Sequence, residues 1–198
     1  VTREEDAVEH LLVANTHDWA LFFTNRGRVF SAKVHTIPDA SRQAKGMAII
    51  NLPGVQVESG EVPVATICLP DFEPGHYLVM ATRRGVIKKT ALEQFERVRS
   101  TGIIAISVDD DDEPAWVDVS SGGDDVIIAT AMGKIARFGE SDVRAMGRPA
   151  GGVIGIRLAN KGDQVVSMSV VQPESDLLVL TETGYGKRVR LTEFRTMR

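Results

Sequence analysis

The stretch LFFTNRGRVFSAKV, residues 21–34, combines an apolar run, a Thr-x-x-Gly turn and a basic return segment. The apolar run lacks the alternation of a half-exposed strand, which predicts a strand that is buried on both faces. Gly27 can supply the positive φ that a tight three-residue hairpin loop requires. Taken alone, the stretch predicts one β-hairpin with an exposed basic turn.

The same pattern occurs four times along the 198 residues. The apolar run recurs as LFFTNRG, LVMATRRG, VIIATAMG and LLVLTETG, which end at Gly27, Gly85, Gly133 and Gly184. A second glycine follows the first three copies, in KGMAIINL (45–52), TGIIAISV (101–108) and GGVIGIRL (151–158). Two glycines in step over a period of about 50 residues indicate a repeat protein.

Each repeat is predicted to contain four strands, because Val, Ile and Thr dominate and helical heptads are absent. The first strand is predicted in LLVAN (11–15), VATICL (64–69), AWVDVS (115–120) and VVSMSV (165–170). The hairpin supplies the second and third strands, and the run after the second glycine supplies the fourth. Short helical segments are expected before that glycine, in HTIPDA (35–40), TALEQF (90–95), GESDV (139–143) and LTEF (191–194).

Four-stranded units of this length predict an all-β, propeller-like array of blades. We expect a single domain over residues 1–198, with units 1 to 4 at approximately 9–55, 62–109, 114–160 and 164–198. The last unit ends before its second glycine and is interpreted as truncated. The chain begins at Val1 without an initiator methionine, which suggests a piece of a longer protein.

Composition places the chain among water-soluble globular proteins. Hydrophobic residues make up 43% and charged residues 25% of the sequence, and no apolar run approaches the length of a membrane span. The single cysteine, Cys68, excludes an internal disulfide and fits a reducing compartment. Its neighbours Ile67 and Leu69 favour a buried, unreactive thiol. We therefore expect a cytoplasmic protein without a membrane partner.

Charge is sorted by position in the repeat, although the formal net charge of the whole chain is −4. Windows that run from each hairpin turn toward the second glycine cover residues 26–45, 83–101, 132–151 and 183–198. They contain 20 of the 23 Lys and Arg residues and 6 of the 27 Asp and Glu residues. Stacking of the units should align these cations into one basic belt, which is typical of polyanion-binding proteins.

The belt is predicted to bind phosphates without reading bases, because its cations do not recur at identical positions. Aromatic residues form 6% of the chain and do not alternate with the basic loops, so stacking of single strands is not expected. The predicted partner is double-stranded DNA, bound without sequence specificity and bent around the array. The candidate DNA-binding residues are Arg26, Arg28, Lys33, Arg42, Lys45, Arg83, Arg84, Lys88, Lys89, Arg97, Arg99, Lys134, Arg137, Arg144, Arg148, Lys187, Arg188 and Arg190.

The sequence predicts no catalytic or metal-binding residue. Tyr77 begins a core strand and Tyr185 lies in a hairpin, and neither has the carboxylates and arginine that a DNA-cleaving tyrosine needs nearby. The acidic run DDDDE (109–113) lacks the spaced ligands and glycine of a calcium loop. It is interpreted as a solvated loop between blades that keeps DNA from that face. A propeller-type scaffold that binds an acidic protein partner through the belt is the alternative function.

Four segments resemble the C-terminal domain of the DNA gyrase A subunit: LLVANTHDWALFFTNRGRVFSAKVHTIP (11–38), GVIKKTALEQF (85–95), GESDVRAMGRPAGGVIGIRL (139–158) and GYGKRVRLTEF (184–194). The resemblance covers essentially the whole chain. It implies a β-pinwheel in which neighbouring blades exchange a strand and a basic rim wraps DNA. It also implies a supporting role in ATP-dependent negative supercoiling, together with the gyrase B subunit in the holoenzyme and the rest of the gyrase A subunit. The catalytic tyrosine, ATP and magnesium act outside this domain, for which no cofactor is implied.

One departure from the family pattern leaves the parent enzyme open. Gyrase A subunits usually carry a Gln-Arg-Arg-Gly-Gly-Lys-Gly-like box in the first blade, and the nearest stretches, SRQAKG (41–46) and MGRPAGG (146–152), are degenerate. Either the box lies upstream of Val1, or the parent is a topoisomerase IV-type protein that aids relaxation or decatenation. The order of the matching segments favours gyrase.

Overall fold

The computed structural model describes residues 8, 10–41, 43–172 and 174–197, which form antiparallel sheets and short turns. The strands of this part are β1 (Trp19–Thr24), β2 (Arg28–Lys33), β3 (Pro63–Leu69), β4 (Tyr77–Thr82), β5 (Val86–Ala91), β6 (Ile103–Ile104), β7 (Pro114–Ser120), β8 (Asp125–Thr130), β9 (Ile135–Gly139), β10 (Val153–Ile154), β11 (Val165–Val171), β12 (Asp176–Leu180) and β13 (Gly186–Arg190). The predicted all-β class is confirmed. No helix of the described residues is long and apolar enough to cross a membrane.

Short 3₁₀ turns follow the hairpins, where the sequence predicted short helical segments. They cover Val34–Thr36, Leu92–Phe95, Glu140–Asp142 and Leu191–Glu193, and a further 3₁₀ turn covers Ile49–Asn51. The prediction of a short helical segment in each unit is therefore confirmed.

Each sheet is built around one hairpin, and the first three sheets take their outer strands from the following unit. The strand orders are β3-β1-β2-β6, β10-β5-β4-β7, β11-β8-β9 and β12-β13. In the first sheet, β1 and β2 come from unit 1, whereas β3 and β6 come from unit 2. In the second sheet, β4 and β5 come from unit 2, whereas β7 and β10 come from unit 3. Neighbouring blades therefore share strands, as the β-pinwheel resemblance implied.

The hairpin glycines of units 1 and 2 explain how consecutive units meet. Gly27 and Gly85 have φ values of 72° and 88°. Their carbonyl oxygens accept hydrogen bonds from the backbone N–H groups of Ile106 and Ile156, both at 3.1 Å. A Cβ atom would lie 2.0 Å from the Ile106 oxygen at Gly27, and 2.5 Å from the Ile156 oxygen at Gly85. Only glycine combines this backbone conformation with so close an approach.

The predicted strands LLVAN (11–15) and KGMAIINL (45–52) of unit 1 are wrong. Residues 11–15 form no strand and Val13 is 98% exposed, while the second segment forms only the 3₁₀ turn at Ile49–Asn51. The physical reason is the exchange of strands. The equivalent segments of later units pair with the preceding hairpin, and the described residues before β1 contain no hairpin with which residues 11–15 could pair. The predicted fourth strands of units 2 and 3 shorten to β6 and β10.

The core lies between adjacent sheets, so the strands of the first three hairpins are largely buried on both faces. One cluster joins the first two sheets and includes Leu21, Phe23, Leu78, Met80 and Phe95. A second cluster joins the second and third sheets and includes Ile87, Ile128, Phe138 and Ile156. A third covers the other face of β1 and includes Ala20, Phe22, Leu52 and Val55. The two-sided burial predicted from the unalternating apolar run is confirmed for β1, β4 and β8. It is wrong for β12, whose Leu178 and Leu180 are 64% and 69% exposed, because β12 pairs only with β13 in the described chain.

Candidate nucleic-acid interface

Several predicted cations lie in the basic loops, which we define as residues 38–45, 96–101 and 144–151. Those of units 2 and 3 lie side by side, because Ser107 Oγ donates a hydrogen bond to the Pro149 carbonyl at 2.7 Å. A groove of about 830 Å³ separates them. Its lining includes Arg97, Arg99, Thr101, Gly102, Arg148 and Pro149.

Three arginines line this groove: Arg97, Arg99 and Arg148. Arg97 and Arg99 are exposed, and Arg148 is partly buried. None of the three has an ion-pair partner among the residues that the structure describes. Their charge is therefore free to attract an anion, and a phosphate matches the planar donors of a guanidinium group.

In contrast, the arginines of the first hairpin turn are paired with an acidic loop, residues 57–61. Arg26 Nη1 and Arg28 Nη1 each lie 2.7 Å from an oxygen of Glu58. Arg28 Nη1 also lies 3.2 Å from Glu61 Oε2, and Glu61 is buried. These carboxylates offset the positive charge that the sequence places at this turn.

The second hairpin turn has the same arrangement with the acidic loop at residues 109–113. Arg83 Nε pairs with Glu113 Oε1, and Arg84 Nη1 pairs with Asp111 Oδ2. The hydrogen bond to Asp111 raises the pKa of the Arg84 guanidinium above its ordinary value. The DDDDE run therefore contacts the turn arginines directly, in addition to separating two blades.

Lys89 and Arg137 occupy equivalent positions, four residues after the hairpin glycines of units 2 and 3, and both are buried. Lys89 Nζ donates to the Glu140 carbonyl at 3.0 Å and lies 3.3 Å from Oε1 of the same residue. Arg137 Nη1 donates to the Leu191 carbonyl at 2.8 Å, and its other nitrogens donate to Asp125 Oδ2. Each cation thus binds the 3₁₀ turn of the next unit.

Lys88 is fully buried beneath the groove. Its Nζ donates to the Ala105 carbonyl at 2.6 Å and also to the Arg148 carbonyl. Burial, followed by the positive charge of Arg148, lowers the pKa of Lys88 to about 8. Three of the predicted DNA-binding residues, Lys88, Lys89 and Arg137, are therefore placed inside the array.

A protein-family profile described as "DNA gyrase C-terminal domain, beta-propeller" matches residues 18–59, 76–120, 124–172 and 175–198. The chain belongs to the DNA gyrase C-terminal domain family. Each matched segment of this gyrase family begins one residue before the first strand of a hairpin, at β1, β4, β8 and β12. The resemblance stated from the sequence is confirmed.

Individual relatives agree with the family. The DNA gyrase A subunit of Salmonella typhimurium (strain LT2) is 47% identical over 194 residues, which cover 98% of this chain and 22% of that protein. The solved C-terminal domain of DNA topoisomerase IV has a TM-score of 0.80 and 31% identity, over 100% of this chain and 61% of that one. A solved gyrase A C-terminal domain has a TM-score of 0.78 and 25% identity, over 93% and 58%. The chain thus spans about a fifth of the length of the curated relative.

The other predicted cations of this gyrase-family array lie apart from the groove. Lys33 Nζ donates to the His17 carbonyl at 2.7 Å, and Lys134 Nζ donates to that of Arg157 at 2.5 Å. Arg188 Nε lies 3.4 Å from Asp176 Oδ2. Lys45, Arg144, Lys187 and Arg190 are exposed, and Arg42 lies outside the described residues.

Sequence reasoning missed Arg195 as a candidate contact. Arg195 is exposed and follows the 3₁₀ turn of unit 4, as Arg144 follows that of unit 3. Parallel bridges join Ala145 to Lys89 and Thr196 to Arg137, which confirms that the two arginines are equivalent. Alignment of LTEF (191–194) with GESDV (139–143) would have found it.

The tyrosines and the cysteine lie in structural surroundings. The Tyr77 ring has Lys89 Nζ 4.9 Å from its centroid, and Tyr185 is 78% exposed. Burial, with a smaller contribution from the Asp18 charge, raises the pKa of the Cys68 thiol, which is opposite to the shift of a reactive cysteine. No group of three or more potential metal ligands was found among the described residues.

Proposed function

We propose that this chain is a non-catalytic DNA-binding region of a bacterial type IIA topoisomerase. It binds the phosphate backbone of double-stranded DNA through its basic loops. The observation that carries the proposal is the groove in which Arg97, Arg99 and Arg148 lie without ion-pair partners in the described chain. The named relatives, DNA gyrase and DNA topoisomerase IV, support DNA as the polyanion.

The contact is with the backbone and does not depend on base sequence. The groove presents guanidinium groups, backbone atoms and the apolar side chains of Ile103 and Ile104. Arginines that reach phosphates fix the position of a duplex but carry no sequence information. Counterion release then supplies most of the binding free energy.

The repetition of the basic loops favours a wrapped duplex. Each loop follows the 3₁₀ turn of its unit, so a duplex that contacts several loops must follow the array. Bending a site of 20–30 bp costs on the order of 1–6 kcal/mol, which several phosphate contacts can offset. In the holoenzyme, with the gyrase B subunit present beside the rest of the gyrase A subunit, the wrap supports ATP-dependent negative supercoiling.

The proposed phosphate contacts are fewer than the cations of the belt predicted from the sequence. They are the predicted cations that are exposed or partly exposed and that have neither an ion-pair partner nor a hydrogen bond to a backbone carbonyl in the described chain, together with Arg195: Lys45, Arg97, Arg99, Arg144, Arg148, Lys187, Arg190 and Arg195. The hairpin arginines are offset by acidic loops, and the buried cations hold units together. Arg42 stays a prediction.

The test compares two pairs of substitutions with the same change in charge. R97Q/R99Q removes two groove cations, whereas R157Q/K161Q removes two cations outside the belt windows. Fluorescence anisotropy with a labelled duplex should show about tenfold weaker binding for R97Q/R99Q and a salt slope reduced by about 2. The control pair should change the affinity less than about twofold. Equal losses for both pairs, or no binding of duplex by the unaltered chain, would overturn the proposal.

A topoisomerase IV-type parent is the second candidate, because a solved domain with that name has a TM-score of 0.80 with this chain. The two parents differ in the reaction of the complete enzyme. Assembly of the full subunit with its partner and ATP should yield negatively supercoiled circles for gyrase. Decatenation or relaxation without introduced supercoils would assign the chain to topoisomerase IV.

A further inference from the structure

Lys88 is the one described lysine whose side chain is enclosed directly beneath the arginine groove. Met80 is its partner in the register of β4 and β5, and the residue is 0% exposed. Its ammonium group binds two backbone carbonyls, those of Ala105 and Arg148. These carbonyls belong to the two loops that form opposite walls of the groove.

The first wall is fixed through Ala105, which directly follows β6 (Ile103–Ile104) and is itself buried. Ile103 and Ile104 line the groove with Arg97 and Arg99. The second wall is fixed through the carbonyl of Arg148, whose side chain lines the opposite side. One ammonium group therefore links the two walls from within, in addition to the hydrogen bonds from Ser107 to Pro149 and Ala150.

We propose that Lys88 is a positioning residue for DNA binding, whose buried ammonium sets the spacing of the groove walls and gains its counter-charge when phosphate enters. The proposal rests on the function proposed above. Lys88 itself does not touch DNA. It acts through the backbone of the loops that carry Arg97, Arg99 and Arg148.

The charges around Lys88 explain the coupling to phosphate. The positive charge of Arg148 acts on Lys88, and Arg97 and Arg99 line the same groove as Arg148. The buried carboxylate of Glu140 is paired with Lys89, which points to the opposite face of β5. Burial beside a like charge disfavours the ammonium form, whereas a phosphate in the groove favours it. DNA binding near pH 8 should therefore be accompanied by proton uptake at Lys88.

Two substitutions separate spacing from charge. K88M keeps an unbranched apolar side chain, one atom shorter than lysine, but leaves the Ala105 and Arg148 carbonyls without their donor. K88R keeps a cationic donor that does not titrate near pH 8. We expect K88M to bind duplex about tenfold more weakly and K88R to bind within about threefold of the unaltered chain. Neither variant should take up a proton at residue 88.

The experiment is isothermal titration calorimetry of the chain with duplex DNA at pH 8, in buffers of different ionisation enthalpy. The unaltered chain should take up a measurable fraction of a proton, and both variants should lose that uptake. Thermal unfolding checks that each variant is folded. If K88M does not fold, the loss of proton uptake in K88R alone tests the role of Lys88.

Unchanged proton uptake in K88R, or wild-type affinity in a folded K88M, would overturn the role of Lys88. The groove variant R97Q/R99Q separates this failure from that of the proposed function. If R97Q/R99Q weakens binding while the Lys88 variants do not, only the positioning role fails. If R97Q/R99Q also binds like the unaltered chain, the proposed function fails.

Discussion

At the scale of single residues, Gly85 and Gly133 form a matched pair that isolates the contact between units. Both have positive φ, 88° and 79°. A Cβ on Gly85 would lie 2.5 Å from the Ile156 oxygen, whereas one on Gly133 would meet nothing within 4 Å. We expect Gly133→Ala to lower the free energy of unfolding by about 1 kcal/mol, the cost of the left-handed backbone, and Gly85→Ala by about 3 kcal/mol. Urea unfolding measures both, and equal losses would contradict the contact.

The titration of Lys88 gives the stability of the chain a defined pH dependence. Its pKa is about 8 in the folded chain and 10.5 in the absence of the fold. Between these values the unfolded chain binds more protons than the folded chain, so the free energy of unfolding rises with pH. The difference between the unaltered chain and K88M should therefore grow in favour of the unaltered chain from about pH 8 to about pH 10. Urea midpoints at fixed ionic strength measure it, and a difference that shrinks would contradict the assignment.

Residue patterns predicted where positive charge lies in each unit but not what each cation does. Lys88 and Lys89 belong to the basic window of unit 2, yet both are buried. The carbonyls that bind Lys88 are 17 and 60 residues away along the chain. No local pattern can show that such distant backbone atoms enclose a lysine. The exposure of Arg97 and Arg99 was easier to predict, because both lie in a loop and not in a paired strand.

At the scale of elements, the acidic loop at residues 109–113 should weaken DNA binding by competing for arginines. Asp111 pairs with Arg84, and neighbouring carboxylates repel phosphate. We expect D110N/D111N to raise the affinity for duplex about threefold at low salt and to have little effect at high salt, because exposed ion pairs are screened. The matched control is D71N/E73Q, in the exposed loop between β3 and β4. An equal gain in the control would show only an effect of net charge.

The positions of the strands could be predicted from the sequence better than their pairing. The period predicted four strands in each unit, and units 2 and 3 contain them. It did not show that the first and fourth strands pair with the preceding hairpin. LLVAN (11–15) therefore has strand-forming residues but no partner strand in the described part of the chain, and strands are stable only when paired. The close contact of Gly27 with Ile106 carried this information, but only the folded chain shows which residues meet.

At the scale of the whole molecule, the number of free cations predicts the salt dependence of DNA binding. Each phosphate that is neutralised on a duplex contributes about −0.9 to the slope of log K against log salt. The eight proposed contacts predict a slope of about −7, whereas a belt in which all the predicted cations acted would approach about −16. Cations that pair with acidic loops or that are buried do not contribute to the smaller slope. Between about 50 and about 200 mM salt the smaller slope corresponds to a loss of affinity of about four decades and the larger slope to about ten, so a salt titration distinguishes them. A slope steeper than about −10 would show that the hairpin arginines leave their carboxylates to bind phosphate, and D110N/D111N would then leave the slope unchanged.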